Sequence, residues 1–67
     1  MQLKLDHYKL EVLMGDREMN IGELAKAAGM TRQNLTVTLS RDESQPKTLA
    51  RISKALGVSL AEITRPD

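Results

Sequence analysis

The chain has 67 residues, with ten Lys and Arg against nine Asp and Glu, no cysteine and one histidine. At this length folding buries only about 60% of the surface an unfolded chain exposes, so one domain over 1–67 with a thin core is expected and a second is excluded. The absence of cysteine removes disulfides and thiolate metal sites, a lone His7 makes no zinc cluster, and a formal charge of +1 is too balanced to argue for nucleic acid or membrane on bulk electrostatics.

The start, Gln2-Leu3-Lys4-Leu5, alternates polar and apolar residues as a short strand or an extended arm does. From Asp6 the period changes. Leu10, Leu13 and Met14, with Arg17 a turn later, predict a helix over 7–17 with Asp6 as its N-cap. Gly15 lies inside it, where glycine costs about 1 kcal/mol relative to alanine. His7 is expected to be solvated or capping rather than a ligand, and Tyr8, the only aromatic residue, to lie against the core or at a subunit contact.

Three later segments share one arrangement: Met19-Asn20-Ile21-Gly22-Glu23-Leu24, Met30-Thr31-Arg32-Gln33-Asn34-Leu35 and Val58-Ser59-Leu60-Ala61-Glu62-Ile63. In each, a capping side chain stands three residues before a polar acceptor, and apolar residues flank the set. This is the pattern of a helix start with a capping box and a hydrophobic staple. Gly29 and Gly57 stand where a left-handed residue ends a helix, Arg41 to Gln45 reads as a polar loop, and Pro46 suits the first turn of a helix that buries Leu49, Ile52 and Leu56. The expected fold is all-α, with five short helices over 7–17, 21–28, 32–40, 46–56 and 60–63, together with the short N-terminal strand if it forms; Pro66 closes the chain.

The second and third helices are separated only by Gly29-Met30-Thr31, which forces a steep crossing. Ala25 permits the close approach and Gly29 the positive φ at the corner. Such a helix-turn-helix leaves one face of the third helix free, with Arg32, Gln33, Thr36 and Val37 outward. The same region is free of acid: from Lys26 to Arg41 there are three bases and no carboxylate.

With Leu24, Ala25, Gly29 and Leu35 in place, Ile21 to Ser40 resembles the Cro and phage-repressor (XRE-like) class of helix-turn-helix proteins. Pro46 and Lys54-Ala55-Leu56-Gly57-Val58-Ser59-Leu60 resemble the fourth and fifth helices of that family, so the likeness runs from Leu10 to Ile63. The resemblance implies a five-helix, lambda-repressor-like DNA-binding domain. It further implies phosphate contacts at Asn20, Ser40 and Lys47, with help from Ser44, and base-edge contacts at Arg32, Gln33, Thr36 and Val37. Thr31 and Arg41 complete that DNA-binding set. The chemistry agrees, since Arg is bidentate to guanine, Gln to adenine, and the methyls of Thr or Val pack on the thymine methyl. Two positions depart from the family pattern: Ile21 stands where a phosphate-clamping Gln is usual, and Thr38 stands where an apolar residue is usual, so Leu39 is expected to take over packing. Asp42 and Glu43 add acid near the backbone contacts.

The expected function is a sequence-specific, double-stranded DNA-binding transcriptional regulator, a repressor on a palindromic operator. A homodimer is expected through Val58, Leu60, Ile63 and the termini, namely the Gln2 to Leu5 arm and the Thr64 to Asp67 tail. The competing reading is an antitoxin-like or adaptor module whose main partner is another protein, which Ile21, Val37 and the acidic loop favour. Nothing in the chain assembles a catalytic set or a phosphate cradle, so no enzyme and no cofactor are expected. No apolar run is long enough to span a bilayer or to form a signal-peptide core, which points to the cytoplasm.

Overall fold

A computed structural model describes residues 1–66. The elements in chain order are β1 (Leu3–Leu5), α1 (His7–Asp16), α2 (Ile21–Ala27), α3 (Arg32–Leu39), β2 (Glu43–Ser44), α4 (Pro46–Leu56), a 3-10 helix (Leu60–Ile63) and β3 (Thr64–Arg65). Helices dominate, as the periodicity predicts, and the first three end a residue earlier than their apolar spacing suggests. The fifth segment is a 3-10 helix because only four residues separate its cap from the strand that follows.

The alternating start does form a strand, and it is the middle one. β1 pairs antiparallel with β2, through Leu3 opposite Ser44 and Lys4 opposite Glu43, and with β3, through Lys4 opposite Arg65 and Leu5 opposite Thr64. The expected polar loop over 41–45 therefore contains an edge strand, and Ser44 is buried. Pro46 and Pro66 follow the two outer strands, where a residue without an N–H cannot prolong a ladder. Two further bonds extend the pairing of β1: the Leu5 N–H donates to the carbonyl of Asp42, just before β2, and the Asp6 N–H to the carbonyl of Ile63, at the end of the 3-10 helix, both at 2.8 Å.

The core is aliphatic and drawn from nearly every element: Leu5, Leu10, Leu24, Ala25, Leu35, Leu49, Ile52, Leu56 and Ile63. Met19, Met30 and Val58, the staple residues that precede three of the caps, pack against it. Two assembly expectations are corrected here. Ile63 has 0% of its surface exposed and is a core residue, so it is not available to a partner. The Gln2 to Leu5 arm is likewise occupied within its own chain by β2 and β3. The Thr64 to Asp67 tail is β3 as far as Arg65, and its last residue, Asp67, lies outside the described residues.

The helix ends follow local chemistry. Asp6 caps α1 by accepting the Lys9 N–H at 3.0 Å. At the other end of α1 the Met19 N–H donates to the Met14 carbonyl at 3.0 Å, a six-residue closure whose corner residue, Glu18, takes φ 50. Glycine occupies the matching corners after α2 and α4, at Gly29 (φ 70) and Gly57 (φ 74). In the 3-10 helix the Glu62 carboxylate accepts the Ser59 N–H at 3.0 Å, while the Glu62 N–H, facing the Ser59 hydroxyl, is bonded to the Ser59 carbonyl at 3.1 Å.

His7 does more than solvate. Its Nε2 donates to the Leu39 carbonyl at 2.9 Å, so the first residue of α1 holds the C-terminal end of α3 from 32 residues away. Glu18 is the one described non-glycine residue at positive φ. A side chain in the left-handed region costs about 1–2 kcal/mol, partly offset by the extra entropy that glycine loses on folding. Glu18→Gly is accordingly expected to raise stability by up to about 1 kcal/mol in urea denaturation, and an unchanged or lower midpoint would refute this account of the corner.

Candidate nucleic-acid interface

Two short helices and the four-residue corner between them, 28–31, build the site. Asn20 starts α2 with a complete capping box: its Oδ1 accepts the Glu23 N–H at 2.8 Å and the Glu23 Oε1 accepts the Asn20 N–H at 2.9 Å. The helix stops at Gly29, whose positive φ turns the chain, and the Met30 N–H closes the corner on the Ala25 carbonyl at 2.9 Å. Thr31 then opens α3 by accepting the Asn34 N–H at 3.0 Å. Unlike the Asn20/Glu23 box this one is single-sided, because Asn34 makes no return bond to Thr31. Ala25, only 2% exposed, stands between the paired helices, and Leu35 at 0% anchors α3 to the core.

With Leu35 inward, α3 turns Arg32, Gln33, Thr36 and Val37 to solvent, in agreement with the sequence reading. Val37 keeps 43% of its surface, a large exposure for an apolar side chain. Thr38 is half-buried and Leu39 packs against the core, so Leu39 takes over the packing that Thr38 cannot give. The hydroxyls of this helix are turned back on their own backbone. Thr36 donates to the Arg32 carbonyl and Thr38 to the Asn34 carbonyl at 2.9 Å each, and Ser40 donates to the Val37 carbonyl at 2.6 Å. Thr36 therefore presents its methyl group and a lone pair outward, and Ser40 has no free O–H for a phosphate unless that bond breaks.

A cleft lies on each side of α3. The first, about 560 Å³, joins the start of α2 to the start of α3 and is lined by Asn20, Ile21, Gly22, Glu23, Lys26 and Arg32. The second, about 420 Å³, runs between α3 and α4; Thr31, Asn34, Val37, Thr48 and Arg51 are among its walls. Lys26 and Arg51, both exposed, were not among the residues singled out from sequence. Lys26 had a signal in the acid-free window, whereas Arg51 joins the site only because α4 folds back beside the corner. Lys47, in the first turn of α4, and Arg41, just after α3, are exposed, while the buried Ser44 is withdrawn from any backbone contact. Ile21 is half-buried and offers no hydrogen bond where it borders the first cleft.

A short helix pair with a glycine corner, a solvent-facing second helix and basic clefts on both of its sides defines the helix-turn-helix class of DNA-binding proteins. A family model described as the Cro/C1-type HTH DNA-binding domain matches residues 9–66, and the chain belongs to that family. No significant match is found among curated proteins or among solved structures. The protein is a DNA-binding regulator of the helix-turn-helix type, and none of its described helices is long and apolar enough to cross a membrane.

The two acid-containing boxes differ in a measurable way. Asn20→Ala leaves the Glu23 N–H without its acceptor and is expected to cost about 1 kcal/mol, within the usual range for a lost cap. Ser59→Ala is expected to cost clearly less, because the Glu62 N–H keeps its carbonyl partner. Chemical denaturation of both variants decides the matter; equal losses would mean that the Ser59 hydroxyl carries the cap after all.

Proposed function

We propose that the protein is a sequence-specific regulator of transcription that places α3 in the major groove of double-stranded DNA and acts as a repressor on a palindromic operator, as a homodimer. The observation that carries this reading is the outward face of α3. Arg32, Gln33, Thr36 and Val37 stand together between two clefts that carry Lys26 and Arg32 on one side and Arg51 on the other. A recognition helix in the groove needs this arrangement: side chains that distinguish base edges in the centre and cations for the flanking phosphates.

Each residue has a role that follows from its atoms. Arg32 offers a bidentate donor pair to guanine O6 and N7, and Gln33 offers a donor and an acceptor to adenine. Val37 and the outward methyl of Thr36 fit the thymine methyl. Asn20, Lys26, Arg41, Lys47 and Arg51 are assigned to the sugar-phosphate backbone. Thr31 is chiefly the cap that aims α3, and Ser40 takes part through its backbone rather than its committed hydroxyl. The dimer follows from reach, since a recognition helix of 8 residues touches too few base pairs to discriminate among genomic sites, and a second copy doubles the reading.

Selection from a random double-stranded DNA pool, followed by affinity measurements at two salt concentrations, tests the reading. Arg32→Ala is expected to cost about 1–3 kcal/mol on the selected sequence and to relax preference at one position, whereas Lys47→Ala should weaken all sequences alike and lower the salt slope by about 1. A uniform loss for Arg32→Ala would move that residue to the phosphates. Absence of any salt-sensitive binding by the parent chain would overturn the DNA reading and favour an adaptor that meets another protein.

A further inference from the structure

We infer that α1 is the contact between two copies of the chain, packed antiparallel about a two-fold axis at Val12. The inference rests on the dimer just proposed and names the surface that forms it. Tyr8 is 76% exposed and Val12 44%, and among the described residues they are, with Met1 and Val37, the large apolar side chains most open to solvent. They lie one turn apart on α1, and Gly15, also exposed, continues the stripe. Neither space nor backbone conformation within its own chain requires a glycine at Gly15: a Cβ there would meet nothing within 4 Å, its φ is not positive, and glycine weakens a helix relative to alanine. A glycine on an open apolar stripe suits the close approach of another helix.

The charges on this face identify the other helix as a copy of the same one. Successive helical residues turn by about 100° and rise about 1.5 Å, which places Lys9 and Asp16 on the same flank of the stripe, about 4.5 Å before Val12 and about 6 Å after it. A two-fold axis relating antiparallel helices reverses the direction along the helix and keeps each flank on its own side. With the axis at Val12, Lys9 of each copy meets Asp16 of the other, Val12 meets Val12, and Tyr8 covers Gly15. Neither Lys9 nor Asp16 has an ionic partner within its own chain among the described residues. The contact is self-complementary, as an isologous interface must be.

The same symmetry agrees with DNA binding. On one flank of the stripe, Glu11 and Gly15 border a groove shared with Ile21 of α2 and Leu39 of α3. On the other flank, Lys9 and Leu13 border a groove shared with Glu62 of the 3-10 helix. Because flanks are preserved, the α2 and α3 elements of both copies lie on the same side of the pair, where one duplex reaches both.

Sedimentation equilibrium of the full chain, from micromolar to millimolar concentration, provides the test, with circular dichroism to verify folding. The parent chain should self-associate, and Tyr8→Arg should weaken association at least about tenfold, as loss of a central aromatic anchor does. Lys9→Asp and Asp16→Lys should each weaken it about fivefold by opposing like charges, and the double exchange should restore it to within about twofold, a coupling that general damage to α1 would not produce. A parent chain that stays monomeric both free and on its selected DNA would overturn the interface and the dimer together while leaving DNA binding standing. A dimer that survives Tyr8→Arg and shows no rescue by the double exchange would overturn this interface alone.

Discussion

Among the described residues no helix exceeds 11 residues, and the two that form the helix-turn-helix pair have 7 and 8. Isolated helices shorter than about 12–15 residues are marginal in water, and each leaves four N–H and four carbonyl groups without intrahelical partners. In such short segments the terminal groups are most of the helix, so the fold depends on how they are satisfied. Asp6, Asn20 and Thr31 answer the N–H groups with side-chain oxygens, and the corners at Glu18, Gly29 and Gly57 answer the carbonyls with the next backbone. The aliphatic core then has only to hold together pieces whose ends are already closed.

This dependence explains what could be read directly from the residues. A cap and its acceptor lie three positions apart, so the starts of α2, α3 and the 3-10 helix were legible at Asn20/Glu23, Thr31 and Ser59/Glu62, and the glycine corners were legible for the same reason. β2 was not, because Glu43 and Ser44 have no strand pattern of their own and are ordered by Leu3 and Lys4 some forty positions earlier. The His7 bond to the Leu39 carbonyl is equally distant and has no local pattern for the same reason. The burial of Ile63 is likewise not local: an isoleucine near the end of a sequence reads as available surface, and only the sheet and α4 close over it.

In the candidate site, the outward set on α3 followed from helical spacing once Leu35 was recognised as the inward residue. The direction of each hydroxyl did not, since a threonine on a helix surface satisfies either its own backbone or a ligand, and only geometry decides. The bonds of Thr36 and Ser40 to carbonyls a turn back shift the character of the surface from donors toward methyl groups. Ile21 points the same way: it is hydrocarbon in a cleft whose polar lining is Asn20, Glu23, Lys26 and Arg32.

The chain contains one tyrosine, no tryptophan and no phenylalanine, and that tyrosine stands on the outer face of α1 rather than in the core. The interior is consequently silent in the near ultraviolet. Tyrosine emission and near-ultraviolet dichroism, ordinarily taken as reporters of tertiary packing, register in this molecule only the surroundings of a single ring at the surface. A signal of that kind would remain nearly level while the aliphatic core melts and would change when the outer face of α1 is covered, which makes it an optical gauge of association with almost no background from folding.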